Sequence, residues 1–288
     1  MEAKILLRGL AVGVLAGLLA FVFARLFVEP ILQSAIDYQS GRDVAQSALE
    51  KAAGKAVETA GADPFSRGVQ RNIGIGIGLA LFGVALGGLA AVVYAVSSRY
   101  ALGVLRPREL ALRVAAAGFL VLFLVPFLKY PNNPPAIGHE DTLGARSGLY
   151  LLMVLTAAVA LAASVAVAGR LRDELGRGNA NLVAGLTFAV IVGGVMLVLP
   201  PLGELDSNVR EFGRHATETP LPLRDSSGTI VFPGFPADVL AKFRVYSIIN
   251  QLVLWGSIGL GLGFLVERLP THLPVAQRQS AGSSLAIA

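Results

Sequence analysis

The fold is decided by charge-free stretches such as Ile73–Val96, which reads IGIGIGLALFGVALGGLAAVVYAV. A helix of roughly 20 residues crosses a hydrocarbon core about 30 Å thick, so this stretch is long enough to span a bilayer. That core holds no water, and every backbone amide must therefore bond within its own segment, as it does in a helix. Further stretches of the same kind predict an all-α, polytopic integral membrane helical bundle.

Six such stretches predict about six transmembrane helices, at residues 5–28, 73–96, 110–128, 148–168, 180–199 and 245–266. They form a single membrane domain over residues 1–268, with outer loops at 29–72, 129–147 and 200–244 and a disordered cytoplasmic tail at 269–288. Only 15% of the residues are charged, whereas soluble domains carry roughly 25%. Lys4 and Arg8 also give the first stretch the start of a signal peptide, but its long apolar run favours a retained helix.

Lysine and arginine are dense in the N-terminal segment and in the short connections around Arg106 and Arg172. Because such bases stay on the cytoplasmic side, the sequence predicts a multi-pass protein of the bacterial inner (cell) membrane with both termini in the cytoplasm. The net charge of +5 then reflects topology, and no nucleic-acid partner is expected. No acid or base lies near the centre of a predicted helix, which argues against a self-contained proton-coupled pump.

Glycines recur at four-residue spacing in three of the predicted helices. They are Gly9, Gly13 and Gly17 in the first, Gly74 with Gly78 and Gly83 with Gly87 in the second, and Gly259 with Gly263 in the last. Small residues at this spacing let two helices approach closely in a membrane. We therefore expect these positions to lie at helix contacts, and replacing Gly13 or Gly78 with leucine to disrupt the packing.

The second predicted outer loop contains the segment Lys129–Thr142, which reads KYPNNPPAIGHEDT. Its three prolines remove amide donors and stiffen the backbone. The segment ends on one imidazole and two carboxylates, namely His139, Glu140 and Asp141. Imidazole with carboxylate suits divalent ions such as cobalt, nickel or zinc. The alternative is structural, since acids directly before a helix cap its amides and stabilise its dipole.

A weaker candidate metal site is the pair of Glu211 and His215 in the third outer loop. Residues four apart share one face of a helix, but Gly213 lies between them and weakens a helix there. An exposed pair of this kind is more often only solvated. The chain has no cysteine, which excludes disulfides and thiolate metal sites.

Two separated segments give the chain a resemblance to CbtA, a family of probable cobalt transporter subunits. The first is KYPNNPPAIGHEDT at 129–142, followed by Arg146 and Leu149-Tyr150. The second is FPADVLAKFRVYS at 235–247, which runs into Asn250-Gln251, Trp255 and Gly259-Leu260. The structural part of the shared pattern comprises Tyr130, Pro131, Asn132, Asn133, Pro134, Pro135, Arg146, Arg244, Asn250 and Gln251. The family is generally described with about five spans, and the long first loop looks like an insertion.

The resemblance implies a membrane component of cobalt uptake that shares metal capture with a small, histidine-rich, one-span partner protein. We therefore predict a membrane subunit of a divalent metal transporter, without an ATP site, catalysis or a resident cofactor, whose cargo is cobalt or nickel. In this hypothesis 130–135 holds the shape of the loop, and Arg146 neutralises local carboxylates when the metal is absent. The alternatives are a non-transporting subunit that scaffolds a larger membrane complex, and an enzyme that uses His139 with Asp141 as acid and base.

Overall fold

The computed structural model describes residues 2–55, 66–101, 105–135, 137–138, 140–214 and 217–268. The α-helices are α1 (Glu2–Phe23), α2 (Glu29–Ala52), α3 (Arg67–Val69), α4 (Ile75–Ala101), α5 (Pro107–Phe119), α6 (Val125–Lys129), α7 (Leu143–Val198), α8 (Asp206–Phe212) and α9 (Ala237–Glu267). Strands β1 (Leu223–Arg224) and β2 (Ile230–Phe232) pair antiparallel as a small hairpin. The predicted tail at 269–288 lies outside the described residues.

Five continuous helical segments of the described chain are long and apolar enough to cross a membrane. They are Glu2–Ala52, Arg67–Ala101, Pro107–Lys129, Leu143–Glu204 and Ala237–Glu267. The fourth is bent at Gly176, whose φ of 72° and ψ of 165° are not helical. Met153 and Val192, on either side of the bend, share one apolar cluster, so the two arms lie side by side. The five segments therefore make six apolar arms, in agreement with the predicted helices.

π-helical turns let two of these segments continue past a proline. The turns Ala24–Val28 and Leu120–Leu124 lie just before Pro30 and Pro126. Proline has no backbone N–H, so a regular helix would lose one hydrogen bond at each site. At Pro126 the carbonyl left without a donor is that of Leu122, and the Tyr150 hydroxyl donates to it at 3.1 Å.

The predicted outer loops are too long at two places. Residues 29–52 lie within the first predicted outer loop, for which a surface helix was expected only from Asp43 onward. They form helix α2, which continues directly from α1 because the π-helical turn before Pro30 accommodates the missing donor. Residues 237–244, also predicted as loop, are the first two turns of α9. Pro236 lies at its N-cap with extended backbone, where proline starts a helix without the loss of an internal hydrogen bond. The second predicted helix likewise begins earlier, at Arg67.

The glycines of α1 lie at a helix contact, as predicted, and the structure identifies α4 as the partner. A Cβ atom on Gly13 would lie 2.9 Å from the carbonyl carbon of Gly83 and 3.0 Å from the Cα of Val84. Such distances are too short for a side chain, so the two backbones themselves are in contact. The pair in α9 also packs closely, since a Cβ on Gly259 would lie 2.8 Å from the Cβ of Ala115 in α5.

The expectation for Gly74 and Gly78 is wrong. A Cβ on Gly78 would meet nothing within 4 Å, and one on Gly74 only the carbonyl of Val69 at 3.9 Å. At about 100° per residue, Gly78 lies roughly 140° around α4 from Gly83. The same helix cannot direct both glycine pairs at α1, and the pair at 74 and 78 faces away from it.

The described residues contain two large apolar clusters and two small ones. The largest lies among α1, α4, α5 and α9, which we call the four-helix bundle, and is centred on buried side chains such as Leu254 and Ile258. The second joins α7 to residues 120–129 and contains Met153 and Ala157. We call the two arms of α7, 143–175 and 177–198, the α7 hairpin. The helical segment Pro107–Lys129 therefore packs in the bundle with its first half and on the hairpin with its second.

The polar loops gather at one end of the molecule. At the opposite end, the Arg8 guanidinium donates to the carbonyl of Leu265 and Arg99 pairs with Glu2, so the start of α1 lies beside the ends of α4 and α9. The loop end comprises the described residues of 129–142 and 199–236, and we call it the motif face. Helix α2 reaches over it, where the ring of Tyr38 contacts Phe232 and Phe235.

Candidate functional site

Residues 129–133 are anchored to the motif face by side chains on both sides. The Lys129 ammonium donates to the carbonyl of Leu199 at 2.7 Å, and the Tyr130 hydroxyl donates to that of Pro200 at 3.0 Å. Burial raises the pKa of the Tyr130 phenol, which keeps it protonated as a donor. From α9, Arg244 donates to the Oδ1 of Asn133 at 3.0 Å. The segment is thus tied to the end of the α7 hairpin and to the bundle.

The next residues turn sharply beneath α2. The amide of Ile137 donates to the carbonyl of Pro134 at 3.1 Å, and both residues are buried. Ile137 packs with Ala35 and Tyr38 of α2. The prolines therefore belong to a loop clamped between α2 and the bundle.

A buried ion pair lies directly under this loop. The side chain of Glu218 is fully buried, and its Oε2 lies 2.9 Å from Nη1 of Arg146 at the start of α7. Its Oε1 accepts hydrogen bonds from the hydroxyl of Thr142 and, at 3.0 Å, from Nδ2 of Asn208. The same Nδ2 also donates to the carbonyl of Leu202 at 2.8 Å. Two parts of the chain that are far apart in sequence, 142–146 and 202–218, therefore meet at one carboxylate.

Gly138 presses the loop backbone against this ion pair. A Cβ at that position would lie 2.6 Å from Nη1 of Arg146 and 3.2 Å from Oε2 of Glu218. Its φ of 142° is one that side-chain-bearing residues rarely adopt. Both the space and the backbone conformation require glycine directly before the candidate ligand segment 139–141.

The predicted ligands are only partly covered by the structure. His139 and His215 lie outside the described residues, and of Glu140 and Glu211 only the backbone is described. Asp141 is exposed within the 3₁₀ turn Glu140–Thr142, which leads straight into α7. Within the described part of the chain, no group of three or more histidines, aspartates or glutamates could hold a metal ion.

The structure also describes the helix ends that lie beside the candidate acids. The N-cap position of α7 belongs to Thr142, and no side chain forms a cap hydrogen bond there, because the Thr142 hydroxyl donates to Glu218 instead. Helix α8 ends at Phe212, since Gly213 has a φ of 73°. His215 lies outside the described residues, so the pairing of Glu211 with His215 stays a prediction.

A cavity of about 640 Å³ opens beside the ion pair, between the bundle and the α7 hairpin. Phe243 of α9 lines one side, and Tyr150 and Leu151 of α7 line the other. The motif residues Tyr130, Pro131, Asn132, Asn133 and Pro135 complete its wall together with Arg146. The Arg146 side chain is 26% exposed, so its guanidinium lies between the buried carboxylate and open space.

Sequence reasoning missed Glu218 and Asn208. Glu218 stands between two threonines in a proline-rich loop, without helical spacing or a neighbouring histidine. Asn250 and Gln251, which belong to the shared pattern, are both half-buried on α9. The Oδ1 of Asn250 is buried without a hydrogen-bond partner.

A family model described as "Probable cobalt transporter subunit (CbtA)" matches residues 2–267. The match covers nearly the whole chain, and the chain belongs to this family. Neither a curated protein nor a solved structure matches it. The family assignment and the apolar helices together establish a multi-pass membrane protein with the role of a metal transporter subunit.

Proposed function

We propose that this chain is the membrane subunit of a cobalt uptake transporter and that it receives the divalent ion at its motif face. The observation that carries the proposal is the family match over residues 2–267. It coincides with a polar loop clamped beside a cavity at one end of the bundle. His139, Glu140 and Asp141 are the candidate ligands, and a small histidine-rich partner or water completes the coordination shell.

The cavity supports an entry route for the ion, because it lies between the four-helix bundle and the α7 hairpin, which have separate apolar cores. The four-helix bundle provides Phe243 on one side, and the α7 hairpin provides Tyr150 on the other. Only the second half of the helix at 107–129 carries the main contact between hairpin and bundle. A change in the tilt of the hairpin would therefore alter the width of the cavity without unpacking the bundle.

In this proposal the motif face points away from the cytoplasm. The opposite end carries Arg8 beside Leu265, as well as Arg99 and Arg108, and the basic bend around Arg172. Bases in short connections stay on the cytoplasmic side. An ATP site is not part of the proposal, because the glycine-rich string 74–78 is helical rather than a loop that follows a strand, as phosphate loops do.

The test is the accumulation of radioactive cobalt in cells that express the chain together with a candidate partner, a small, histidine-rich, one-span membrane protein. Replacing His139 with alanine is expected to reduce accumulation, because the remaining carboxylates bind cobalt weakly without an imidazole. His272→Ala is the matched control, since it removes a histidine near the C-terminus. Equal accumulation in the wild type and in His139→Ala would remove His139 from the mechanism.

A second candidate function is that of a non-transporting scaffold, and one observation favours it. In the most apolar window of the fourth segment only 11% of residues are buried, against 39% in the first. Leu182, Leu186 and Val190 of the second arm are all exposed. Such a surface suits the docking of another membrane protein. Stable co-purification with a partner and no cobalt accumulation in wild-type cells would support the scaffold over the transporter.

A further inference from the structure

Burial of the Arg146–Glu218 ion pair in the motif face has a large desolvation cost. Transfer of a carboxylate and a guanidinium out of water costs several kcal/mol for each ion, and buried ion pairs often stabilise a fold no better than apolar side chains do. Glu218 is fully buried, while Arg146 is partly open to the cavity. Stability alone therefore does not account for a charged carboxylate at this position.

The two oxygens of Glu218 have different surroundings. Oε1 accepts from Thr142 and Asn208, which hold the carboxylate in one orientation. Oε2 lies 2.9 Å from the Arg146 guanidinium but has no hydrogen bond of good geometry. At Oε2 the Arg146 guanidinium thus acts mainly as a positive charge, which another cation can also supply.

A second oxygen in the cluster, Oδ1 of Asn208, is buried without a hydrogen-bond partner. The residue as a whole is 0% exposed. Its Nδ2 already donates to Leu202 and Glu218, so these two acceptors define the orientation of the amide. A buried carbonyl-type oxygen beside a carboxylate is a donor that divalent cations accept.

The position of Gly138 links this cluster to the predicted ligand segment. Its backbone lies against both Arg146 and Glu218, and the next three residues in the chain are His139, Glu140 and Asp141. The adjoining cavity of about 640 Å³ gives the Arg146 side chain space on the side away from Glu218. The guanidinium therefore has space to move into when a cation approaches Glu218 from the motif face.

We propose that Glu218 is a ligand of the transported divalent ion and that Arg146 holds the place of this ion while the site is empty. Ion binding then moves the guanidinium into the cavity, and Asn208 and Thr142 keep the carboxylate in position. The proposal deepens the proposed function and rests on it, because it adds a carboxylate to the ligands of the same cobalt site. The proposal predicts that removing the charge of Glu218 weakens metal binding, whereas removing the charge of Arg146 strengthens it.

The experiment is an isothermal calorimetric titration of the purified full-length chain, in detergent, with cobalt chloride. It measures the cobalt affinity of the wild type and of each variant. Glu218→Gln keeps the shape of the side chain and is expected to weaken cobalt binding by more than about tenfold, the range that even outer-shell partners contribute. Arg146→Gln removes the competing cation and is expected to tighten binding. Glu204→Gln and Arg210→Gln are the matched controls, since the first removes an exposed acid and the second an exposed base of the same loop.

The outcomes separate this inference from the proposed function. Cobalt affinity that is unchanged in Glu218→Gln would overturn Glu218 as a ligand, even if cells expressing the wild type still accumulate cobalt. Weaker binding in both Glu218→Gln and Arg146→Gln would overturn the place-holding role of Arg146 and leave the pair as a structural contact. If Glu218→Gln does not fold, Glu218→Asp replaces it, since a shorter carboxylate keeps the charge but draws the ligand back. Unchanged affinity in that variant also overturns the proposal.

Discussion

The four-helix bundle and the α7 hairpin both contain many glycines but use them in opposite ways. In the bundle, the glycines of α1 touch the backbone of α4, and a Cβ on Gly17 would lie 2.9 Å from the Cα of Ala80. In the hairpin, a Cβ on Gly169, Gly185 or Gly193 would meet nothing within 4 Å. A glycine in a membrane helix therefore permits close packing but does not require it.

The two regions also differ in what holds them in place. The bundle is closed by backbone contact along α1 and α4 and by large side chains such as Trp255, which covers Gly118 of α5. The hairpin is attached along residues 120–129 and by polar contacts at the motif face. Substitutions should therefore act strongly in the bundle, moderately at the polar attachment points, and weakly on the open faces of the hairpin.

The largest effect is expected for Gly13→Leu. Its side chain would collide with the backbone of Gly83, and a backbone cannot move aside as a flexible side chain can. We expect a loss of about 3 kcal/mol or more in the free energy of unfolding, at the upper end for overpacked sites. Thermal unfolding in detergent measures it, with Gly78→Leu on the open face of α4 as the control. Equal melting of the two variants would contradict the backbone contact between α1 and α4.

The next effect is expected for Arg146→Met, which leaves Glu218 buried without its positive partner. Breaking a buried ion pair in this way costs about 3 kcal/mol or more. The double variant Arg146→Met/Glu218→Leu should regain most of that loss, because no buried charge remains. Thermal unfolding of the two variants and the wild type checks this. A double variant that melts no higher than Arg146→Met would show that packing, and not charge, dominates at this attachment point.

A smaller effect is expected for Tyr150→Phe. The hydroxyl donates to the Leu122 carbonyl, which Pro126 leaves without its helical donor. The loss of one such hydrogen bond should lower the free energy of unfolding by about 1 kcal/mol. The control is Tyr100→Phe, since Tyr100 is 84% exposed. Identical melting temperatures for both variants would mean that the hydroxyl does not secure the hairpin to residues 120–129.

The smallest effect is expected for Gly185→Leu on the open face of the hairpin. Nothing lies within 4 Å of the new Cβ, and leucine favours a helix more than glycine does. The free energy of unfolding of the isolated chain should stay within about 0.5 kcal/mol or rise slightly. Thermal unfolding of the detergent-solubilised chain is again the measurement. A clear loss of stability would show that this face is packed rather than open.

The sequence predicted the helices well and the loops less well. Each apolar arm could be recognised because the absence of charge over about 20 residues is a local property. The helix boundaries at Pro30 and Pro236 could not be recognised from the sequence. Whether a helix continues or starts at a proline depends on how neighbouring groups replace the backbone N–H that proline lacks. At Pro126 that replacement comes from Tyr150, in a different helix.

The candidate site was recognised only in its continuous part. The segment 129–142 stood out because prolines, a histidine and two acids adjoin one another in the chain. Glu218 did not, because it follows Arg146 by 72 positions in sequence and its own surroundings carry no pattern. Their pairing at 2.9 Å results from the packing of the third loop beneath Gly138, which no local feature encodes.

The sequence by itself determined that the chain is a helical membrane protein, because the hydrocarbon core requires apolar helices of a set length. It also identified the glycines of α1 as a contact surface, since their spacing places them on one side of the helix. Only the tertiary structure decided that Gly83 meets them while Gly78 remains open. Only the tertiary structure brought Glu218 to Arg146. Partner choice depends on how whole helices and loops are arranged in space, and a single segment does not contain that information.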